Sequence, residues 1–132
     1  MPHSLIEYSA NLAHLDENWM LLQVNKALLG LGIFLDSDIK TRIRRLDTYR
    51  VGVDAAETGE HAFLAATVEL LSGRDFSLKE HLGQLVLRAL ERSCPNPEGL
   101  QIQISVHVKE LRSELYFKSV KSAPTAIGGN SL

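Results

Sequence analysis

The stretch SLKEHLGQLVLRALERSCPNPEGLQIQISVHVKEL, residues 77–111, decides the fold because it joins a clear helix pattern to a clear strand pattern. It opens with Ser77 and Glu80 at the spacing of a capping box, which predicts a helix that starts at Ser77. Pro95 and Pro97 end that helix, since proline lacks the backbone donor that a helix needs. The apolar stripe of the helix consists of Leu78, Leu82, Leu85, Val86, Ala89 and Leu90.

The second part of the stretch alternates strictly between apolar and polar residues, which predicts a strand with one buried face. The segment HAFLAATVELL, residues 61–71, predicts a strand before the helix, although its alanines also permit a helix. Strand, helix and strand in this order indicate a βαβ unit with parallel strands. The apolar side of the last strand consists of Leu100, Ile102, Ile104, Val106 and Val108, and its polar side of Gln101, Gln103, Ser105, His107 and Lys109.

The same order of elements recurs in the first half of the chain. Residues 2–9 predict a strand, residues 12–31 an amphipathic helix and residues 39–51 a second strand. The apolar residues of this helix fall on two neighbouring lines, with Leu15, Trp19 and Leu22 on one and Leu21, Val24, Leu28 and Leu31 on the other.

We therefore predict an α+β fold in which two tandem βαβ units, about 2–52 and 60–118, form a four-stranded sheet with two helices on one face. The chain of 132 residues is too short for two ordinary domains, so 1–132 is expected to be one domain. One layer of helices leaves half of the sheet exposed, and oligomerisation is the expected cover. Outside the units, the sequence predicts a loop at 54–60, a short edge strand at Leu115–Phe117 and a loose tail at 119–132.

Composition and charge exclude several classes of protein. The chain carries 14 Lys and Arg against 16 Asp and Glu, and this net charge of -2 argues against a general nucleic-acid binder. No stretch is apolar enough to span a bilayer and no signal peptide is visible, so we expect a cytoplasmic protein without membrane contact. The five histidines lack the paired spacing of a metal site, and Cys94 has no adjacent activating partner, which favours a structural thiol.

The amino terminus offers a candidate reagent. Removal of the initiator methionine, which a small second residue permits, leaves Pro2 with a free secondary amine that can accept and return protons. A terminal amine has a pKa of about 8 in water. A base that works at neutral pH therefore needs its protonated form destabilised by burial or by nearby cations.

Cations that could act on this amine lie on one predicted strand face. Alternation within residues 39–51 places Lys40, Arg42 and Arg44 on the side opposite to Ile39, Thr41 and Ile43. Arg74, at the turn before the second helix, adds a further cation. Such a group could hold a carboxylate substrate and stabilise an enolate as it forms. The row taken by itself fits an ordinary solvated face as well.

Six segments resemble, in order and spacing, the 5-carboxymethyl-2-hydroxymuconate isomerases of the tautomerase superfamily, and together they span nearly the whole chain. The resemblance implies a βαβ-repeat fold, a homotrimer and a tautomerisation without metal or cofactor, in which the nitrogen of Pro2 moves the proton. The six segments are MPHSLIEYSANL at 1–12, GIF at 32–34, TRIRRLDTY at 41–49, HAFLAATVEL at 61–70, SGR at 72–74 and KELRSELYFK at 109–118.

The resemblance also implies which residues bind the substrate. Arg74 matches one of the arginines with which the family binds carboxylates, whereas Lys40 stands at the position of the other, with Arg42 two residues further on. The expected substrate is 5-carboxymethyl-2-hydroxymuconate, a small polycarboxylate of homoprotocatechuate degradation. Two alternatives stay open, a tautomerase of a smaller 2-oxo acid and a trimeric binding protein without chemistry. His3 could face either the pocket or the sheet interior.

Overall fold

The structure, a computed structural model, describes residues 1–54 and 60–124. Four strands and two helices follow one another in the predicted order of strand, helix, strand, strand, helix and strand. This order confirms the α+β class and the two βαβ units. Short 3-10 turns at Asp36–Asp38 and Ser113–Leu115 precede β2 and follow β4. The main elements are β1 (His3–Ser9), α1 (Glu17–Leu29), β2 (Lys40–Leu46), β3 (His61–Leu71), α2 (Phe76–Ser93) and β4 (Gln101–Leu111).

The strand order β2-β1-β3-β4 determines which chain segments meet at each end of the sheet. β1 and β2 are parallel, β3 and β4 are parallel, and β1 and β3 run antiparallel at the centre. The starts of β1 and β2 therefore share one end of the sheet with the finishing ends of β3 and β4. The amino terminus lies at that end, beside the segments that leave β3 and β4.

Both helices pack on one face of the sheet. The even-numbered residues of β1 and β3, such as Ile6 and Leu64, are buried and form one core with the helices. Burying one such side chain stabilises the fold by about 1.5–3 kcal/mol. The odd-numbered residues lie on the helix-free face, where they are half-buried along most of β1 and β3 and exposed on β4. The helices contribute Met20, Val24 and Leu28 from α1, and Leu82, Val86, Ala89 and Leu90 from α2.

The first helix is shorter than predicted, and Trp19 and Leu22 of its first apolar line lie at the surface. It starts at Glu17, where the Asp16 carboxylate caps it by accepting from the backbone N–H of Trp19 at 3.0 Å. Trp19 is 52% exposed and Leu22 46% exposed. The residues of α1 that are fully buried are Met20, Val24 and Leu28, and Leu21 and Ala27 pack against the core at the border of this face.

The second helix starts at Phe76, so the capping box predicted at Ser77 is wrong. Asp75 is the cap, because its carboxylate accepts from the backbone N–H of Leu78 at 3.0 Å. The Ser77 hydroxyl donates to the same carboxylate at 3.3 Å instead of capping the helix itself. The predicted stripe nevertheless faces the core, with Leu78 and Leu85 half-buried at its border.

Two strand predictions need correction. β2 ends at Leu46 instead of residue 51, and Tyr49 then packs edge-on against the Phe63 ring at a centroid distance of 6.0 Å. Leu115–Phe117 is not an edge strand, since the chain there has left β4 and pairs with no strand among the described residues. In the predicted loop at 54–60 and tail at 119–132, residues 55–59 and 125–132 lie outside the described ones. No helix within the described ranges is long and apolar enough to cross a membrane.

Candidate active site

Pro2 lies fully buried at the end of the sheet, immediately before β1. Its carbonyl accepts a hydrogen bond of 3.1 Å from the backbone N–H of Lys40, the first residue of β2. This bond extends the parallel pairing of β1 and β2 by one step and fixes Pro2 beside the start of the cationic strand. The predicted base and the first predicted cation are thus neighbours through the backbone.

The three cations of β2 differ in the hydrogen-bond and ion-pair partners that they already have. Arg44 forms an ion pair with Glu7 of β1. The Lys40 ammonium donates to the carbonyls of Ser37 and Asp38 at 3.2 and 3.3 Å. Arg42 is exposed and has no hydrogen-bond or ion-pair partner within residues 1–54 and 60–124. Of the three predicted cations in the row, Arg42 is therefore the one whose donors are free for a ligand.

His3 lies on the helix-free face, in register with Lys40 on one side and Glu69 on the other. It is half-buried and does not enter the core under the helices. Burial lowers the pKa of His3, and the amino terminus, Lys40 and Arg42 lower it further, while Glu69 acts in the opposite direction. The side chain is therefore a neutral imidazole at pH 7.

The amino group in the structure belongs to Met1 and stands in for the Pro2 amine of the trimmed chain, one residue away. Burial lowers the pKa of this amino group most, and the positive charge of Lys40 lowers it next. Asp38 raises this pKa and Lys118 lowers it. Burial and the positive charge of Lys40 thus both act on the amino group of Met1.

Arg74 follows β3 at the same end of the sheet, but its contacts are separate from those of Pro2 and the β2 cations. Its guanidinium lies over the Phe34 ring, 5.5 Å from Cζ to the ring centroid. It also lines an open cleft of about 520 Å³ at the start of α2, together with Asp75 and His81. No hydrogen bond or ion pair in the described part of the chain joins Arg74 to Pro2, Lys40 or Arg42.

Sequence reasoning missed the residues that follow β4. The Tyr116 hydroxyl lies 3.4 Å from His3 Nε2, and the two rings meet edge to face at a centroid distance of 6.3 Å. Lys118 Nζ donates to Asp38 Oδ1 at 2.8 Å. The strand order and directions contain the signal that could have found them, because β4 finishes at the end of the sheet where β1 and β2 begin.

The described residues show neither a metal-binding cluster nor the cysteine at this end. Within residues 1–54 and 60–124, no three His, Cys, Asp or Glu side chains gather to hold a metal ion. Cys94 follows α2 near the start of β4, at the opposite end of the sheet. Burial raises the pKa of its thiol, which fits the structural role expected for it.

Comparison with known proteins gives the family. Residues 2–123 match the model of the 5-carboxymethyl-2-hydroxymuconate isomerase family. The chain belongs to this family. A 5-carboxymethyl-2-hydroxymuconate Delta-isomerase of Escherichia coli is 25% identical to it over 122 residues, which cover 89% of this chain and 93% of that protein.

Solved structures of the family and the wider superfamily share the fold. A 5-carboxymethyl-2-hydroxymuconate isomerase from Deinococcus radiodurans R1 has a TM-score of 0.77 and 24% identity, covering 91% of this chain and 90% of its own. A fused 4-OT wild-type symmetric trimer has a TM-score of 0.68 and 15% identity, covering 96% and 98% of the two chains. The isomerase family thus has the sheet and helix arrangement described above.

Proposed function

We propose that this member of the isomerase family converts 5-carboxymethyl-2-hydroxymuconate into its keto isomer, with the amine of Pro2 as the base. Family membership and the name of the Escherichia coli relative support the substrate. The observation that carries the proposed role of Pro2 is its burial beside Lys40, at a terminus where burial and positive charge lower the pKa of the amino group.

The proposed reaction moves one proton and leaves the oxidation state unchanged. The Pro2 nitrogen takes the proton from the 2-hydroxyl group, the oxygen becomes a carbonyl, and the double bonds shift along the conjugated chain. The protonated amine then returns the proton to a carbon further along. General acid–base catalysis of this kind contributes about 10²–10⁴-fold to a rate. A lowered pKa keeps the amine neutral before the reaction, as a base requires.

The free cations suit a polycarboxylate. We assign the bidentate carboxylate contact to Arg42, because its guanidinium is unpartnered and a planar fork matches a carboxylate. Lys40 supplies positive charge next to the amine, although two carbonyls already accept from its ammonium. Arg74, stacked on Phe34, is assigned to a second carboxylate from the direction of the α2 cleft.

The proposed assembly is a homotrimer of single-domain chains. The helix-free face carries half-buried central residues such as Leu5 and Thr67, which a neighbouring subunit would cover. The likeness to a fused symmetric trimer of the superfamily supports this arrangement. The proposed location is the cytoplasm, and no nucleic-acid partner is expected at a net charge of -2.

The decisive test is the loss of ultraviolet absorbance of 5-carboxymethyl-2-hydroxymuconate with purified protein whose methionine has been removed, as verified by mass spectrometry. The control is the same protein with Met1 retained, in which the Pro2 nitrogen is an amide and cannot act as a base. Fast decay only in the trimmed protein supports the proposal. If the protein turns over only a smaller 2-oxo acid, that acid takes the place of 5-carboxymethyl-2-hydroxymuconate as the proposed substrate. If it turns over neither compound, the result supports a binding protein without chemistry.

A further inference from the structure

The chain that leaves β4 crosses the end of the sheet as a strap, Ser113–Lys118. Its first contact is with the end of β3, where the backbone N–H of Ser113 donates to the Ser72 hydroxyl at 3.2 Å. Tyr116 then meets His3 at the start of β1, and Lys118 reaches Asp38 just before β2. These contacts follow the order of the strands, so the strap passes over the position of the amino terminus.

Lys118 enters a small cluster of charges around that terminus. The Lys118 and Asp38 side chains are 38% and 31% exposed, which leaves the pair open to a ligand on one side. An ammonium has three donors, and Asp38 Oδ1 accepts only one of them at 2.8 Å. The other charged or titratable groups near the terminus are Lys40 and Arg42 of β2, Glu69 of β3, His3 of β1 and Tyr116 of the strap.

We propose that Lys118 is a substrate-binding residue of this active site, which takes one carboxylate of the substrate while Asp38 holds the ammonium in place. The inference rests on the proposed function. A substrate with three carboxylates presents more negative charge than Arg42 and Arg74 can meet. Lys40 already donates to two carbonyls, and Lys118 is a further cation that the fold brings beside the amino group. Tyr116 positions the strap by its contact with the His3 ring.

A purely structural role for Lys118 makes a different prediction. If the ion pair only ties the strap to the body, removing either partner has the same consequence. If Lys118 binds substrate, removing Lys118 and removing the charge of Asp38 should change KM in opposite directions. Lys118→Met removes the cation, whereas Asp38→Asn keeps an acceptor for the ammonium and removes an opposing negative charge.

The experiment compares wild-type protein with Lys118→Met, Asp38→Asn and the control Lys121→Met, whose exposed lysine has no ion-pair partner among the described residues. We expect Lys118→Met to raise KM for 5-carboxymethyl-2-hydroxymuconate by about tenfold, the loss of one charged hydrogen bond, with a smaller change in kcat. Lys121→Met should leave KM within about twofold of wild type, whereas Asp38→Asn, which removes an opposing negative charge and keeps an acceptor for the ammonium, should lower KM. Equal increases in KM for Lys118→Met and Asp38→Asn overturn the assignment, as does an unchanged KM in Lys118→Met.

A second readout separates this inference from the proposed function. The Pro2 nitrogen of ¹⁵N-labelled, trimmed protein is titrated without substrate. Lys118→Met should raise its pKa, because Asp38 is left uncompensated beside it, and Asp38→Asn should lower it. Absence of turnover in every protein rejects the proposed function. The Lys118 assignment is then judged by this titration, and a Pro2 pKa unmoved in both variants rejects it.

Discussion

The two ends of the sheet differ in how their polar side chains are used. At the far end, where β1 finishes and β3 begins, several polar side chains bind other segments of the fold. Tyr8 donates to Glu17 at 2.7 Å, the Asn11 amide donates to the His61 carbonyl at 2.8 Å, and the Ser9 hydroxyl accepts from the backbone N–H of Phe63 at 3.0 Å. Every one of these bonds joins segments that the core already brings together.

The amino-terminal end leaves polar groups available. Arg42 has no partner within the described ranges, Lys118 uses one of its donors, and the amino group lies between charges of both signs. An unpartnered cation contributes nothing to folding and repels its neighbours, so its place at this end needs another reason. The bonds at the far end stabilise the fold, and the available cations at the amino-terminal end support the proposal that an anionic ligand binds there.

The largest effect on activity is expected from replacing Pro2. Pro2→Ala exchanges the secondary amine for a primary one and changes the packing at the start of β1. We expect kcat for 5-carboxymethyl-2-hydroxymuconate to fall by about 10²-fold or more, the usual contribution of a general base, with the fold and oligomer retained. The measurement is steady-state turnover, with circular dichroism and size-exclusion chromatography as controls. Retained turnover removes Pro2 from the chemistry.

Arg42 and Arg44 give a matched pair on one strand face. Arg42→Ala should lower kcat/KM by roughly thirtyfold, corresponding to about 2 kcal/mol for a lost charged hydrogen bond to substrate. Arg44→Ala removes an exposed ion pair with Glu7 and should cost less than about 1 kcal/mol of stability, with kcat/KM unchanged. Steady-state kinetics and urea denaturation of both variants test the pair. Equal kinetic losses would show that the row acts only through its overall charge.

Arg74 is expected to have a smaller effect. Its stacking on Phe34 holds the guanidinium at the cleft before α2, so Arg74→Ala should lower kcat/KM by about tenfold, mainly through KM. The control is Arg88→Ala, an exposed arginine of α2 whose side chain only meets Gln84 at 3.5 Å. If the two variants behave alike in steady-state kinetics, Arg74 does not contact the substrate.

Substitutions at the far end of the sheet should lower the stability of the fold and leave catalysis unaffected. Tyr8→Phe removes the hydrogen bond to Glu17 and should lower the free energy of unfolding by about 1 kcal/mol, with kcat/KM unchanged. Burial and the Glu17 contact raise the pKa of Tyr8 to about 12 from its ordinary value of 10.

The raised pKa of Tyr8 also predicts a pH dependence. Between pH 10 and about 12 the folded protein holds a proton that the unfolded chain loses, so wild-type stability should fall with rising pH across this window. Tyr8→Phe lacks that proton and should show a shallower slope. Denaturation midpoints measured at several alkaline pH values test this, and equal slopes in the two proteins contradict the assignment.

The sequence was most informative where one face of an element is buried. β3 has the predicted bounds and β4 the predicted alternation, because period-two patterns reflect burial directly. The cap of α2 was misplaced because Asp75 and Ser77 are both good caps, and the choice depends on backbone geometry. Trp19 lies at the surface, which the sequence did not predict, because the apolar lines of a helix do not by themselves show which line meets the sheet.

Part of the candidate site could be predicted from the sequence, but the contacts of its side chains could not. Pro2 and the alternation of Lys40, Arg42 and Arg44 can be read from the sequence. The Lys40 ammonium donates to the carbonyls of Ser37 and Asp38 because a turn brings them close, and no periodic sequence pattern predicts that turn. The strap contacts of Tyr116 and Lys118 join residues far apart in the chain, so only the strand order reveals them.

The most direct test of the central claim is the pKa of the Pro2 nitrogen in the trimmed protein, measured by ¹⁵N NMR and compared with the pH dependence of kcat/KM. The account predicts a pKa below that of a prolyl terminus in an unfolded peptide, since burial and Lys40 disfavour the charged form. It also predicts that kcat/KM rises with pH around the same value, because only the neutral amine is a base. A Pro2 nitrogen that titrates like an unfolded terminus, with turnover independent of its charge, would contradict the account.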